Sequence, residues 1–320
     1  MNSNESAQEI LQTALEWLDQ NHTVGLVTVV KTWGSSPSPA GSMMLLRDDG
    51  QYLGSVSGGC IEDDILVRYC GGEFIQKPPS KLKYGVTSEQ AHRFSLPCGG
   101  GLELVLENLI NQDLLRKILA KINQDELICR RLCLVSGEVT LLSASYDDKF
   151  SYTDSYIQQV FGPNWQLLLI GAGHLSHCVM QIGLMLGYQV TVCDPREKHD
   201  DNWQLSESNL TKLMPDDAVK KIATHKHSIV ITLTHDPKLD DMALWEALQF
   251  PIFYIGALGS KRTNAARRQR LQQLGLSPEQ LARLHGPVGI PIGSHTPAEI
   301  AVAIMADITA ARHGITLNVQ

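Results

Sequence analysis

The hydrophobic positions of this chain fall into two regimes. Near the start they recur at helical spacing, with Ile10, Leu11, Ala14, Leu15 and Leu18 on one face, and Ser6-Ala-Gln-Glu9 ahead of them reads as a capping box. A Val- and Thr-rich run with strand character follows at about 24–31, and shorter runs at 43–47 and 52–56 are joined across the hairpin signal Asp48-Asp49-Gly50. A helical run over about 61–69, a strand at 102–107, a helix near 113–122 and strands at 132–136 and 139–143 complete a leading α+β domain over residues 1–145. Residues 146–165 are polar and loosely patterned and read as a linker. From 166 to 320 the rhythm changes: apolar strand-like runs at 167–170, 190–193, 228–233 and 252–255 alternate with helical stretches at about 240–248, 261–274 and 296–312. That alternation predicts a parallel, doubly wound, Rossmann-like sheet.

The second regime opens on its strongest motif. Leu167-Leu-Leu-Ile-Gly171-Ala-Gly173-His174-Leu-Ser176 reads as strand, tight turn and helix, and a second strand ends at Asp194. Gly171 permits the turn, Gly173 lets the backbone approach a phosphate, and the helix that follows presents free N–H groups to an anion. Ser176 replaces the third glycine of the usual pattern and is small enough for helix and strand to pack. Asp194 falls where a ribose-hydroxyl acceptor is expected, and Arg196 beside it could meet a phosphate instead. The blander reading is an α/β domain whose glycine turn holds nothing.

Composition narrows the classes. A chain of 320 residues with 43% hydrophobic and 19% charged residues is an ordinary core-former of about two domains. A net charge of −7 argues against a nucleic-acid surface, and no apolar run approaches the roughly 20 residues that span a bilayer. Met1-Asn-Ser-Asn-Glu-Ser6 is polar and acidic, unlike a signal peptide, so the 7 cysteines are expected as reduced thiols in a cytoplasm.

Candidate chemistry gathers around glycines. Cys60 follows Gly58-Gly59 and precedes a helical run, where a thiol pKa falls, although Glu62, Asp63 and Asp64 crowd that first turn and oppose a thiolate. Cys98 precedes Gly99-Gly100-Gly101. The two cysteines suit a soft-ligand pair or a redox disulfide; an incidental thiol at a hairpin is the alternative. Cys70, Cys178 and Cys193 fall on expected core positions, and Cys129 and Cys133 lack the second ligand pair of a zinc site. Thr234-His235-Asp236 ends a strand at the edge where ligands meet a parallel sheet; His235 could act as acid, base or anion donor, and Asp236 could simply cap a helix before Pro237. Gly259-Ser260-Lys261-Arg262 ends the next strand and sets two cations at a helix start, a fair phosphate seat. Arg267, Arg268 and Arg270 read as a solvated basic face, and Thr296-Pro297-Ala298-Glu299 as a capped helix start.

With those motifs in order, the chain resembles the xanthine dehydrogenase accessory factor family (XdhC/CoxI). The resemblance rests on Gly34-Ser-Ser-Pro-Ser-Pro-Ala-Gly41, Ser57-Gly-Gly-Cys60, Cys98-Gly-Gly100, Gly171-Ala-Gly173 with Asp194, Thr234-His235-Asp236, Gly259-Ser260-Lys261-Arg262 and Thr296-Pro-Ala-Glu-Ile300. It implies a homodimeric protein that binds the molybdenum cofactor through Cys60 and Cys98, protects it while a cysteine desulfurase installs a terminal sulfur, and delivers it to an apo molybdenum hydroxylase of the xanthine dehydrogenase type. Such a protein is a cofactor-insertion chaperone rather than an enzyme. Two positions depart from the family pattern: Pro291 stands where an Asp is expected, and Gly101 where a basic residue is expected. The residues also leave room for an NAD(P)-dependent oxidoreductase using the Gly171–Gly173 turn with Cys60 or His235 catalytic, and for a nucleotide-sensing regulatory module.

Overall fold

Strands buried at nearly every position, met by amphipathic helices, build two units, Met1–Pro163 and Asn164–Gln320. The computed structural model describes residues 7–34, 38–74, 78–85, 101–145, 148–196, 210–234 and 236–315, with the side chain of Cys60 excepted. Ser6 of the expected capping box lies outside the described residues.

The first unit runs α1 (Ala7–Asp19), β1 (Val24–Trp33), β2 (Met43–Arg47), β3 (Tyr52–Gly54), α2 (Cys60–Cys70), β4 (Ser80–Tyr84), β5 (Gly101–Leu109), α3 (Gln112–Asn123), β6 (Ile128–Cys133), β7 (Val139–Ser143), β8 (Ser151–Tyr152) and β9 (Tyr156–Phe161). Its strands form an antiparallel sheet in the order β3-β2-β1-β5-β4 and a second in the order β7-β6-β9-β8. Val27, Val29, Leu102, Leu104 and Leu106 of the larger sheet pack on Ile61 and Ile65 of α2. Val24, Leu26 and Leu45 take Ile10, Leu11 and Ala14 of α1 and Ile118 of α3. Val30 and Val105 meet Leu132 and Ile157 of the smaller sheet. Acids on β5 are matched there: Glu107 forms a buried bidentate pair with Arg130, and Glu103 accepts from the Tyr152 hydroxyl at 2.8 Å.

Three expectations change. The stretch expected as a linker, 146–165, carries β8 and β9, and its polar look comes from a strand that alternates Ile157, Gln159 and Phe161 inward. The strand expected at 132–136 lies four residues earlier as β6, because Arg130 is neutralised by Glu107 and Arg131 lies over the Tyr156 ring, so two arginines that look solvated are strand residues. Cys70 is exposed at the end of α2 rather than in the core, whereas Cys193 is buried and Cys178 half-buried. Burial pushes the Cys193 thiol up to about 12, which makes it inert.

The second unit runs β10 (Gln166–Ile170), α4 (His174–Met185), β11 (Gln189–Cys193), β12 (Leu210–Thr211), α5 (Pro215–Ile222), β13 (Ser228–Thr232), α6 (Pro237–Ala247), β14 (Tyr254–Ala257), α7 (Lys261–Gln273), α8 (Pro278–Ala282), β15 (Leu284–His285) and α9 (Pro297–Arg312). All pairings are parallel, in the order β12-β11-β10-β13-β14-β15. Leu168 and Ile170 face the layer of α5, α6 and α7, while Leu167 and Leu169 face α4 and α9. The expected doubly wound sheet is therefore present. Its strand order reverses between β10 and β13, the place where such sheets open a crevice for ligands. No helix among the described residues is long and apolar enough to cross a membrane.

Candidate functional site

Strand direction collects the motifs of the first unit. In its larger sheet β1 ends at Trp33, β2 begins at Met43, β3 ends at Gly54, β4 ends at Tyr84 and β5 begins at Gly101, all on one edge. From that edge leave the loop that starts at Gly34, the turn that leads to Cys60, and the segment that carries Cys98. Cys98 and Gly99 lie outside the described residues. The backbone of Cys60 is the first helical residue of α2, as the sequence suggested. Around Gly58 and Gly59, both exposed, the space a side chain would fill is open.

Glu62 organises this turn. Its Oε1 accepts from the backbone N–H of Val56 at 3.0 Å, Ser57 at 2.7 Å and Gly58 at 2.8 Å, and from Ser55 Oγ at 2.7 Å. Its Oε2 accepts from Gly59 N–H at 2.9 Å and from the Ser57 hydroxyl. Burial alone would raise the carboxyl; the donors from Ser57, Ser55 and Gly59 outweigh it and hold the pKa at about 2. The acid expected to crowd Cys60 with loose charge is thus spent on the backbone before it. Asp64 is committed too, accepting from the Tyr84 hydroxyl at 2.7 Å and lying 3.6 Å from Arg68.

Trp33, unremarked in the sequence, lies across the neighbouring strand from Gly101 and is 36% exposed at this edge. A Cβ on Gly101 would stand 2.4 Å from the indole Nε1. With Trp33 so placed, the basic residue that the family pattern expects at 101 would have to displace the indole. Nothing in the structure explains Pro291.

In the second unit the glycine turn sits at the reversal point. Gly171 has φ +104, and a Cβ there would lie 2.7 Å from Thr234 Cγ2, so only glycine fits between β10 and β13. Gly173 differs. Its φ of −114 suits any residue, and nothing lies within 4 Å of where its side chain would stand. Neither backbone nor packing requires glycine at 173. Exposed His174 opens α4 beside it, and Ser176 is fully buried, as close packing demands.

Asp194, expected as a ribose acceptor, is engaged within the turn in this structure. Its Oδ2 accepts from Ala172 N–H at 2.7 Å and Arg196 Nη2 at 2.6 Å, and its Oδ1 from Arg196 N–H at 3.1 Å and Nε at 2.8 Å. The carboxylate is 1% exposed and ties the turn to Arg196; burial opposes its ionisation, but these donors lower its pKa.

Beyond β13, Asp236 caps α6 through Lys238 N–H at 2.9 Å, the structural alternative weighed for it, and His235 lies outside the described residues. Thr234 Oγ1 donates to Asp240 Oδ1 at 2.7 Å, and Arg267 Nη2 donates to Asp240 Oδ2 at 2.9 Å. Arg267 also reaches Leu258 O and Asn264 Oδ1, so one buried pair fixes the loops after β13 and β14 together. The expected solvated basic face is overturned: Arg267 is 3% exposed, Arg268 bonds the carbonyls of Leu281 and Leu284, and Arg270 pairs with Asp241. Two further cations stay at the surface. Ser260 caps α7 through Thr263 N–H at 3.1 Å, and Lys261 and Arg262 are exposed, with no acid paired to either among the described residues. Two cations at a helix N-terminus are unfavourable on their own and favour an anion nearby. β14 lies two strands from β10, roughly 10 Å, so this helix start is separate from the Gly173 turn.

A model of the XdhC Rossmann domain matches residues 167–308, and a model of the XdhC and CoxI family matches residues 17–71. The chain belongs to the XdhC/CoxI family. Over 95% of its length and 88% of the relative's, it is 28% identical to a protein named molybdenum cofactor insertion chaperone PaoD from Escherichia coli (strain K12). A probable xanthine dehydrogenase subunit from Bacillus subtilis (strain 168) is 25% identical over 93% of this chain and 96% of its own. A crystal structure described as a xanthine dehydrogenase from Bacillus halodurans has a TM-score of 0.75 at 22% identity, covering 99% of this chain and 98% of that one; it speaks for the fold. The two family models fall one in each unit, the Rossmann model on the parallel sheet and the other on the segment that holds Trp33, Glu62 and Cys60.

Proposed function

We infer that this chain is a molybdenum-cofactor insertion chaperone. It takes the pterin cofactor as cargo, shields it while a cysteine desulfurase supplies the terminal sulfur, and passes it to an apo molybdenum hydroxylase of the xanthine dehydrogenase type. The observation that carries the reading is the open Gly58-Gly59 turn feeding Cys60 at the edge where the motif loops of the first unit gather. A thiol there suits a soft metal or its sulfur. The likeness to PaoD along nearly the whole chain supports the same cargo. In the second unit, Gly173 with its open approach and the exposed Lys261 and Arg262 suit a phosphate-bearing ligand. We place the protein in the cytoplasm as a homodimer. The oxidoreductase alternative loses its main support, because both oxygens of Asp194 are already engaged by Arg196 and Ala172.

The test is a strain lacking this chain. Its molybdenum hydroxylases are expected to accumulate as protein without activity, and sulfide with dithionite should restore activity if the missing step is sulfuration. Fully active hydroxylases in that strain would overturn the reading.

A further inference from the structure

We propose that Glu62 is the positioning residue of the cysteine turn, its carboxylate acting as a built-in anion that sets the path of residues 55–59 so that Cys60 can take its cargo. The inference rests on the chaperone reading and adds a residue to it. Four successive backbone donors, Val56, Ser57, Gly58 and Gly59, with two serine hydroxyls, converge on one side chain that is 4% exposed. Successive N–H groups in such a concave run form an anion-binding nest. Here the nest is filled from within, by the acid three residues into the helix it precedes. Both oxygens are used: Oε1 takes four donors and Oε2 takes two. A carboxamide would turn an NH2 toward donors that need an acceptor. The filled nest also sets a limit on the cargo, since these amides cannot hold its phosphate. The anionic end of the cargo is left to be held elsewhere.

The experiment compares the full chain with Glu62→Ala and Glu62→Gln, each isolated from cells that make the cofactor. Hydrogen exchange at the amides of residues 56–59 and molybdenum and pterin content after gel filtration are measured. Both variants are expected to exchange those four amides at least 10-fold faster, with unchanged protection elsewhere, and to retain at least 10-fold less cofactor. Glu62→Ala leaves a hollow nest, so acetate, but not acetamide, should slow exchange and restore retention. Should Glu62→Ala fail to fold, Glu62→Gln, equal in size, carries the comparison. Unchanged exchange in a folded variant overturns the proposal, as does faster exchange with undiminished retention. A parent chain that retains no molybdenum or pterin defeats the chaperone reading instead, and exchange with its acetate response then still decides whether Glu62 sets the turn.

Discussion

Two glycine turns in this molecule look alike in sequence and differ in chemistry. Each ends a strand, passes through glycines and enters a helix, at Cys60 in the first unit and at His174 in the second. In the first, four consecutive amides are consumed by Glu62, the helix's own acid. In the second, a neighbouring strand supplies Asp194, which takes one amide, that of Ala172, while the approach to Gly173 stays open. A carboxylate on the helix takes up the amides of its own turn; one just past the adjacent strand braces its turn and leaves the approach to Gly173 open. The position of one acid therefore decides how many amides of a glycine turn are taken from within.

The contrast can be broken at its supports. The largest effect is expected from Arg267→Ala, which strands Asp240 at 1% exposure without its cation. Breaking a buried pair costs about 3–5 kcal/mol, and denaturant unfolding should lose that much while the first unit keeps its own transition. Next is Gly171→Ala, which combines a positive φ with a contact of 2.7 Å to Thr234. Strain and overpacking together should cost about 2–4 kcal/mol in the same assay. Gly173→Val meets no neighbour and replaces only a tolerable cap by a poor one, so it should cost about 1 kcal/mol. Its binding of phosphate-bearing ligands, followed by calorimetry, should nevertheless be lost; unaltered binding would make both turns purely structural. The smallest effect is with pH. Asp194 is held below the ordinary carboxylate value, so its contribution is complete above about pH 4 and fades as pH falls through its lowered folded value. The protection factor of the Ala172 amide, its exchange rate corrected for the intrinsic pH dependence, should fall over that acid range and stay level between about pH 5 and 8.

Much of the second unit was legible because its strands are apolar runs punctuated by glycine, and a parallel sheet buried on both faces needs such runs. The first unit was read less fully. β4 has only Leu82 and Tyr84 inward between lysines, and β6 hides two arginines, so tertiary partners rather than apolar pattern define them. At the site, the glycines and Cys60 stood out, but the groups that hold them did not. Glu62 had a signal, an acid at the third position of a helix behind serines and glycines, which is half of a capping box. Arg267 had one as well: with Asn264 and Leu271 it makes a helical stripe facing inward. The Arg196 partner of Asp194 was not legible, because spacing along the chain cannot tell a free acid from one held by an arginine two residues on.

The most direct test of the cargo reading is molybdenum and pterin per chain, measured on the parent and on Cys60→Ser after gel filtration from cells that make the cofactor. The account predicts near-stoichiometric content in the parent and its loss in the variant, with the two proteins unfolding at the same denaturant midpoint. Equal content in both would contradict the role of Cys60, and absence of both from the parent would contradict the cargo itself.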